Sequence, residues 1–327
     1  MIKFKLFDNF NIKKKIVLIA LLIFALLFIL GKNYISDVAK VPSVKVQSIN
    51  IEADLTNMDL KNVNLSVIDL DGVDLSNKDL TGANLSGVDL SSRDLTGVNL
   101  SGVDLSNKDL RHSNLSGANL SGVDLSNKDL TGVNFSGANL RNSDLTLANL
   151  SGANLRNSDL TGVNLVIVDL SNKDLTGTIL RYANLSLTNL SGVDLSNKDL
   201  TGAILNETDL SDANLSGVDL SNKDLIGANL SGVDLSNKDL TGVNLSGVDL
   251  SNKDLTGTIL RYANLSGTNL SGVDLSNKDL TGVNLSGVNL SNKDLTGTIL
   301  HHANLSGTNL SGVDLSNKDL TGVNLSG

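Results

Sequence analysis

Residues 81–110 read Thr-Gly-Ala-Asn-Leu-Ser-Gly-Val-Asp-Leu-Ser-Ser-Arg-Asp-Leu-Thr-Gly-Val-Asn-Leu-Ser-Gly-Val-Asp-Leu-Ser-Asn-Lys-Asp-Leu, with leucine at 85, 90, 95, 100, 105 and 110. The same beat runs from Leu55 to Leu325, broken in kind only at Phe135, through fifty-five consecutive units without an insertion or deletion. A period of five matches neither the 3.6 of a helix nor the 2 of a strand. It fits a coil with flat faces and corners, in which each face sends one leucine to the axis. Each unit alone buries too little to be stable, so stability must come from stacking on neighbours, as in other solenoids.

Composition agrees. Aromatic residues are 3%, Trp and Cys are absent, and Pro42 is the only proline. So few large side chains cannot fill a two-layer core, but they can fill a thin, repetitive one. The lack of cysteine excludes disulfides, thiolate metal sites and lipidation at an N-terminal cysteine.

The five-residue units, such as Ala83-Asn84-Leu85-Ser86-Gly87 and Val103-Asp104-Leu105-Ser106-Asn107, resemble those of the pentapeptide-repeat family, Ala-Asp/Asn-Leu-x-x. The resemblance covers residues 53–327. It implies an all-β fold, a right-handed quadrilateral parallel β-helix with four units to each coil. The leucine and the residue two before it then face inward and the other three outward. Nearly 14 coils at about 4.8 Å each would span roughly 65 Å. Asn or Asp before leucine, with Ser, Thr and Gly after it, suits corners that need short polar side chains and permissive backbone.

Ahead of the repeat lies Ile16–Gly31, an uncharged run between Lys13-Lys14-Lys15 and Lys32. At about 1.5 Å per residue it reaches roughly 24 Å, somewhat short of a hydrocarbon core, with lysines able to snorkel at both ends. It reads as a single transmembrane signal anchor, or as a signal peptide that is cleaved, although no small-x-small cleavage site follows closely. In both readings the preceding lysines hold the N-terminus in the cytoplasm and the repeat is exported. The predicted organisation is a basic N-terminus over 1–15, a transmembrane helix over 16–31, a linker and capping strand over 32–50, and a β-helix over 51–327.

Charge divides along the same line. Residues 1–45 carry +6 and residues 46–327 carry −15, which together give the net −9. An acidic array repels phosphates, so direct binding of nucleic acid is not expected.

One position departs from the family pattern. Lys occupies the inward site at 78, 108, 128, 173, 198, 223, 238, 253, 278, 293 and 318, and Arg at 93. Unpaired buried ammonium groups are costly. Either the side chains bend outward or the corner is rearranged, with the following Asp as a neighbouring counter-charge. Duplication of two-coil blocks accounts for their spacing: residues 251–287 and 291–327 differ only at Arg261/His301 and Tyr262/His302.

Two surfaces stand out. A column of Asp234, Asp254, Asp274, Asp294 and Asp314 is either a strip for a cation or basic partner or a solvated acidic face. Opposed to it in chemistry is a column of Asn244, Asn264, Asn284, Asn304 and Asn324, able to form a hydrogen-bonded ladder. The second surface is Thr-Ile-Leu-Arg-Tyr at 178–182 and 258–262, with Thr-Ile-Leu-His-His at 298–302. It puts Ile179, Arg181, Tyr182, Ile259, Arg261, Tyr262, Ile299, His301 and His302 on one face, as an interaction patch or as drift in a copied block. Arg141 shares the column of Arg181.

No nucleophile–base spacing, phosphate-binding glycine loop or metal-ligand cluster is visible, and His112, His301 and His302 read as solvated. No enzyme, cofactor or metal is expected. The leading functional expectation is a membrane-anchored interaction or structural scaffold with a protein or surface partner. The family resemblance implies an alternative, a DNA-mimicking array that binds a type II topoisomerase. The sequence stops in mid-rhythm at Ser326-Gly327, which predicts an end-to-end homodimer or marks a truncated reading frame.

Overall fold

The structure, a computed structural model, describes residues 55, 58–66, 68 and 70–327. Its chain divides into two compact units, Met1–Met58 with Ile68–Val73, and Asp59–Val67 with Asp74–Gly327. In the first, Leu55 and Leu70 are buried and short turns close from Leu55 O to Met58 N (3.1 Å) and from Leu70 O to Val73 N (3.0 Å). The basic N-terminus (1–15), the transmembrane helix (16–31) and the capping strand (32–50) lie outside the described residues. Among the described residues, no helix is long and apolar enough to cross a membrane.

The second unit is an array of stacked coils. Each β-bridge joins a residue to its counterpart four units later, in parallel: Asn244 to Asn264, Asn264 to Asn284, Asn284 to Asn304. Four leucines per turn therefore point to one axis, and from Leu75 to Leu305 they are buried. Phe135 takes one of these places and is fully buried.

Corners follow from a single local device. Each leucine carbonyl accepts the N–H three residues on, as in Leu240 O to Val243 N at 3.1 Å. The residue two after leucine sits at positive φ, between 53° and 77° in the interior of the array. That combination is the type II turn, whose third residue must be left-handed, hence the Gly and Asn there. Asn107 is the exception among the described corners, lacking the positive φ although Leu105 O still accepts Lys108 N at 2.9 Å.

Whether neighbouring coils zip together depends on the inward residue two before leucine. Where it is Ala, Ser or Thr, the outward residue beside it always bridges to a described residue in the coil below. Where it is Lys, from Lys108 to Lys318, it never does. Val is intermediate: with Asn beside it the bridge forms, except at Asn289, and with Asp it does not. Two pairs separate the inner from the outer cause. Asp124 and Asp144 bridge despite two carboxylates, with Ser143 inside. Asn269 and Asn289 do not bridge despite two amides, with Val288 inside.

Thr and Val have nearly the same shape, so size alone is not the rule. The inward hydroxyls are bonded to leucine carbonyls, in Thr258 to Leu235 O (2.7 Å), Thr298 to Leu275 O (2.9 Å) and Ser143 to Leu140 O (2.7 Å). A buried hydroxyl so paired avoids the cost of an orphaned polar group.

Asn107 apart, the corners of the inward lysines are not rearranged: Leu235 O still accepts Lys238 N at 3.3 Å with Asn237 at φ 55°, and Leu250 O accepts Lys253 N at 3.1 Å with Asn252 at φ 56°. Instead the side chain bends to the seam and the main-chain bridge there is lost. Each ammonium for which a bond is resolved reaches back to backbone carbonyls of the preceding coil. Lys253 Nζ donates to Val233 O at 2.9 Å and Lys293 Nζ to Val273 O at 2.7 Å. Lys238, Lys278 and Lys318 donate to Leu215 O, Leu255 O and Leu295 O. In a zipped coil the carbonyl equivalent to Val233 O would take a main-chain N–H, as Lys238 O takes Ile259 N at 2.9 Å. At Lys253 and Lys293 the ammonium replaces that N–H, whereas Lys238, Lys278 and Lys318 bond the leucine carbonyl that already closes its own turn. Shallow grooves open at the seams of Lys108, Lys223, Lys238 and Lys318.

Counter-charge comes from a different Asp than the sequence suggested. The carboxylates acting on Lys108, Lys173 and Lys198 lie four residues earlier, at Asp104, Asp169 and Asp194, not at the Asp that follows. Carboxylates of the preceding coil act as well, Asp89 on Lys108 and Asp174 on Lys198, in keeping with ammonium groups that reach back to that coil.

Candidate interaction surfaces

The asparagine column is a ladder. Asn264, Asn284, Asn304 and Asn324 each donate Nδ2 to the Oδ1 of the Asn one coil before, at 2.9, 3.0, 3.0 and 3.0 Å. Two faces away, the aspartate column has no ladder and no main-chain bridges from 214 to 314. Each of its carboxylates turns along its own coil and accepts the N–H two residues on: Ser236, Thr256, Ser276, Thr296 and Ser316, at 2.8–2.9 Å. Bonds from these Ser and Thr hold Asp234, Asp254, Asp274, Asp294 and Asp314 below the ordinary carboxylate range. The column is thus exposed and ionised, with one oxygen of every carboxylate committed to its own corner. Among the described residues no group of three or more His, Cys, Asp or Glu is placed to hold a metal.

The second predicted surface resolves into three modules. Thr178, Thr258 and Thr298 are buried and zip their coils to the ones below, which fixes Ile179, Ile259 and Ile299 outward at 43–45% exposure. In the first two modules the guanidinium lies over the following ring, Arg181 over Tyr182 at 5.7 Å and Arg261 over Tyr262 at 5.8 Å. The same arginines pair with Asp199 (3.4 Å) and Asp279 (3.5 Å), and His301 faces Asp319 at 3.7 Å. Exposed pairs of this kind contribute little stability.

Tyr182, Tyr262 and His302 occupy the left-handed corner position, with φ of 58°, 60° and 57°. Their rings lie flat on the corner of the next coil, where Gly202, Gly282 and Gly322 leave room: a Cβ at Gly202 would fall 2.2 Å from Tyr182 Cδ1. Each of the first two modules gathers its own Ile, Arg and Tyr, and the third has His301 and His302 in place of Arg and Tyr. The modules do not join into one continuous patch, because Asp199, Asp219 and Asp239 separate Ile179 from Ile259, and Asp279 separates Ile259 from Ile299.

A third surface escaped the sequence reading. Leu147, Ile167 and Leu187 stack at one corner in three successive coils, 50%, 52% and 46% exposed, all with positive φ. Ile204 is exposed on the face leading into that corner one coil further on, and Ile226 at the corner itself beyond it. The signal was present as Leu-Thr-Leu, Leu-Val-Ile and Leu-Ser-Leu, where Gly or Asn is expected two residues after leucine.

Pentapeptide repeats are matched over residues 51–87, 94–127, 129–165, 168–197, 183–222, 196–237, 239–277, 279–317 and 294–327. Among solved structures the chain is similar to HetL, a pentapeptide repeat protein involved in heterocyst differentiation regulation from the cyanobacterium Nostoc. Identity is 27% over 80% of this chain and 87% of that one, with a TM-score of 0.17. It is similar to QnrB1, a plasmid-mediated fluoroquinolone resistance protein, at 22% identity over 65% and 84%, with a TM-score of 0.28. A thylakoid-lumen pentapeptide repeat protein of Arabidopsis thaliana matches at 26% identity over 39% and 68%, with a TM-score of 0.11. No curated protein matches the chain. The repeat matches span nearly the whole array, and they assign it: the chain belongs to the pentapeptide-repeat family, whose members form right-handed quadrilateral β-helices.

Proposed function

We propose that this pentapeptide-repeat chain is a non-enzymatic scaffold that is tethered to a membrane through residues 16–31 and presents its acidic coil array outside the cytoplasm to a protein or surface partner. The observation that carries the interaction reading is the repeated module of an exposed Ile beside an Arg-stacked Tyr, at 179–182 and 259–262. Exposed aromatic and Arg groups held rigidly are the residues that dominate interface energies. The tether rests on the lysine-flanked apolar run of the sequence.

Deleting residues 1–31 tests the tether. The full chain is expected to stay in the carbonate-washed membrane fraction and to be digested by protease added to intact cells, whereas the truncated chain leaves that fraction. Recovery of the full chain in the soluble fraction, protected inside intact cells, overturns the proposal.

The charge of −15 over residues 46–327 favours a second reading, a duplex-DNA-like array that binds a type II topoisomerase. That reading predicts altered supercoiling by purified topoisomerase on addition of the chain, and a cytoplasmic array in the protease experiment.

A further inference from the structure

The corner formed by Leu147, Ile167 and Leu187 runs against its own backbone. The left-handed conformation favours Gly and Asn, which fill most corners of this chain, and a β-branched residue there is a genuine outlier. Ile167 nevertheless holds φ 58°, between Leu147 at 59° and Leu187 at 59°. Strain of this kind points towards function when the surroundings enforce it. Here they do: Leu147, Ile167 and Leu187 each donate their N–H to the next coil, at Val166 O (3.0 Å), Ser186 O (3.4 Å) and Asn206 O (3.0 Å). The result is a ridge of three half-exposed aliphatic side chains, one per coil.

Its immediate surroundings carry one sign of charge, and the coil beneath adds Lys128 with Asp124 and Asp129, which leaves the region acidic. The faces on either side of this corner comprise residues 143–149, 163–169, 183–189 and 203–209. They contain Asp144, Asp169, Glu207 and Asp209, and no Lys, Arg or His. Ile204, 43% exposed, extends the apolar surface onto one of these faces. A second copy of the chain would bring the same acids against these, and like charges across an interface repel. The complementary occupant is apolar and cationic.

We propose that the Leu147–Ile167–Leu187 ridge docks a protein segment whose apolar residues are bracketed by lysines or arginines. This rests on the scaffold reading above and gives it a surface and a partner chemistry.

The test uses the full chain in zwitterionic detergent with a synthetic amphipathic leucine–lysine peptide that carries a photoreactive diazirine. Crosslinks are mapped by mass spectrometry. The comparison is the triple variant Leu147→Asn, Ile167→Asn, Leu187→Asn, in which each corner receives the residue its backbone favours. Its melting temperature is expected to equal or exceed that of the native chain, so lost binding cannot be ascribed to unfolding.

Crosslinks concentrated on residues 144–209 of the native chain, reduced about tenfold in the variant and absent with a leucine–glutamate peptide, support the proposal. Crosslinks spread along the array and unchanged in the variant overturn it, since binding then follows general acidity. Equal capture of the leucine–glutamate peptide, or no capture of either, also overturns it. Light scattering that shows a dimer of the native chain but not of the variant would make the ridge a self-interface and overturn it as well. None of these outcomes alters the membrane and protease experiment, which tests the scaffold reading separately.

Discussion

Where the inward residue is Ala, Ser, Thr or Lys, it alone decides whether two coils are joined by main-chain hydrogen bonds; where it is Val, the outward Asn or Asp beside it matters too. At 253 the ammonium holds Val233 O, and the bridge from Asp234 to Asp254 is missing. Alanine at the same position bridges throughout the described array, so Lys253→Ala should let the Asp254 N–H take that carbonyl. One neutral main-chain bond contributes about 1 kcal/mol, and removal of a partly desolvated ammonium adds to it. The variant is expected to melt higher than the native chain in a thermal denaturation monitored by circular dichroism; a lower melting temperature would show that the lysine stabilises its seam. The reverse change is Asn284→Asp. It removes the amide that donates to Asn264 Oδ1 and leaves Val283 inside beside a carboxylate, the combination that is unbridged elsewhere. A loss of about 1–2 kcal/mol in urea denaturation is expected.

At the scale of the corner, titration follows from hydrogen bonding and burial. Corner carboxylates such as Asp234, Asp254 and Asp294 are held low by Ser and Thr donors, and Asp109 is brought to about 2, first by its hydrogen bond from the Arg111 side chain. A depressed folded pKa contributes stability above the unfolded value of 3.8 that is lost as pH falls towards the folded one. Melting temperature should therefore decline as pH drops from about 4 to about 2. The seam lysines act in the other direction. Burial pushes Lys108, Lys128, Lys173, Lys198, Lys253 and Lys293 below 10.5, so the unfolded chain holds their protons more tightly. Their contribution to stability rises with pH on the approach to 10.5. Replacing Lys253 and Lys293 with Ala should flatten that alkaline rise in a melting series from neutral pH to pH 10; an unchanged slope would contradict it.

Over the whole array, much was legible from spacing. Leucine every fifth residue specifies one inward group per face, and the four units per coil that the family resemblance implies place Asn244 under Asn264. The ladder of amides followed directly. The fate of Lys238 or Lys253 did not, because a long side chain with several rotatable bonds reaches partners in the preceding coil, far away along the chain. Two Ile-Arg-Tyr modules and one Ile-His-His module were visible as composition, but their isolation emerges only when the intervening Asp residues are placed in the same column. The Leu147 ridge is hidden for a different reason: it lies at the left-handed corner, a position set by backbone conformation, where the leucine rhythm carries no information about the side chain.

Amide hydrogen exchange, resolved residue by residue, tests the zipper most directly. The account predicts slow exchange for Asn264, Asn284 and Asn304, whose N–H groups bond to Val243 O, Ala263 O and Val283 O at 2.8–2.9 Å. It predicts fast exchange for Asp254, Asp274 and Asp294 in the same coils two faces away, where those bonds are not made. Equal protection on the two faces would contradict the claim that inward lysine, and inward valine beside an aspartate, leave the aspartate face unzipped.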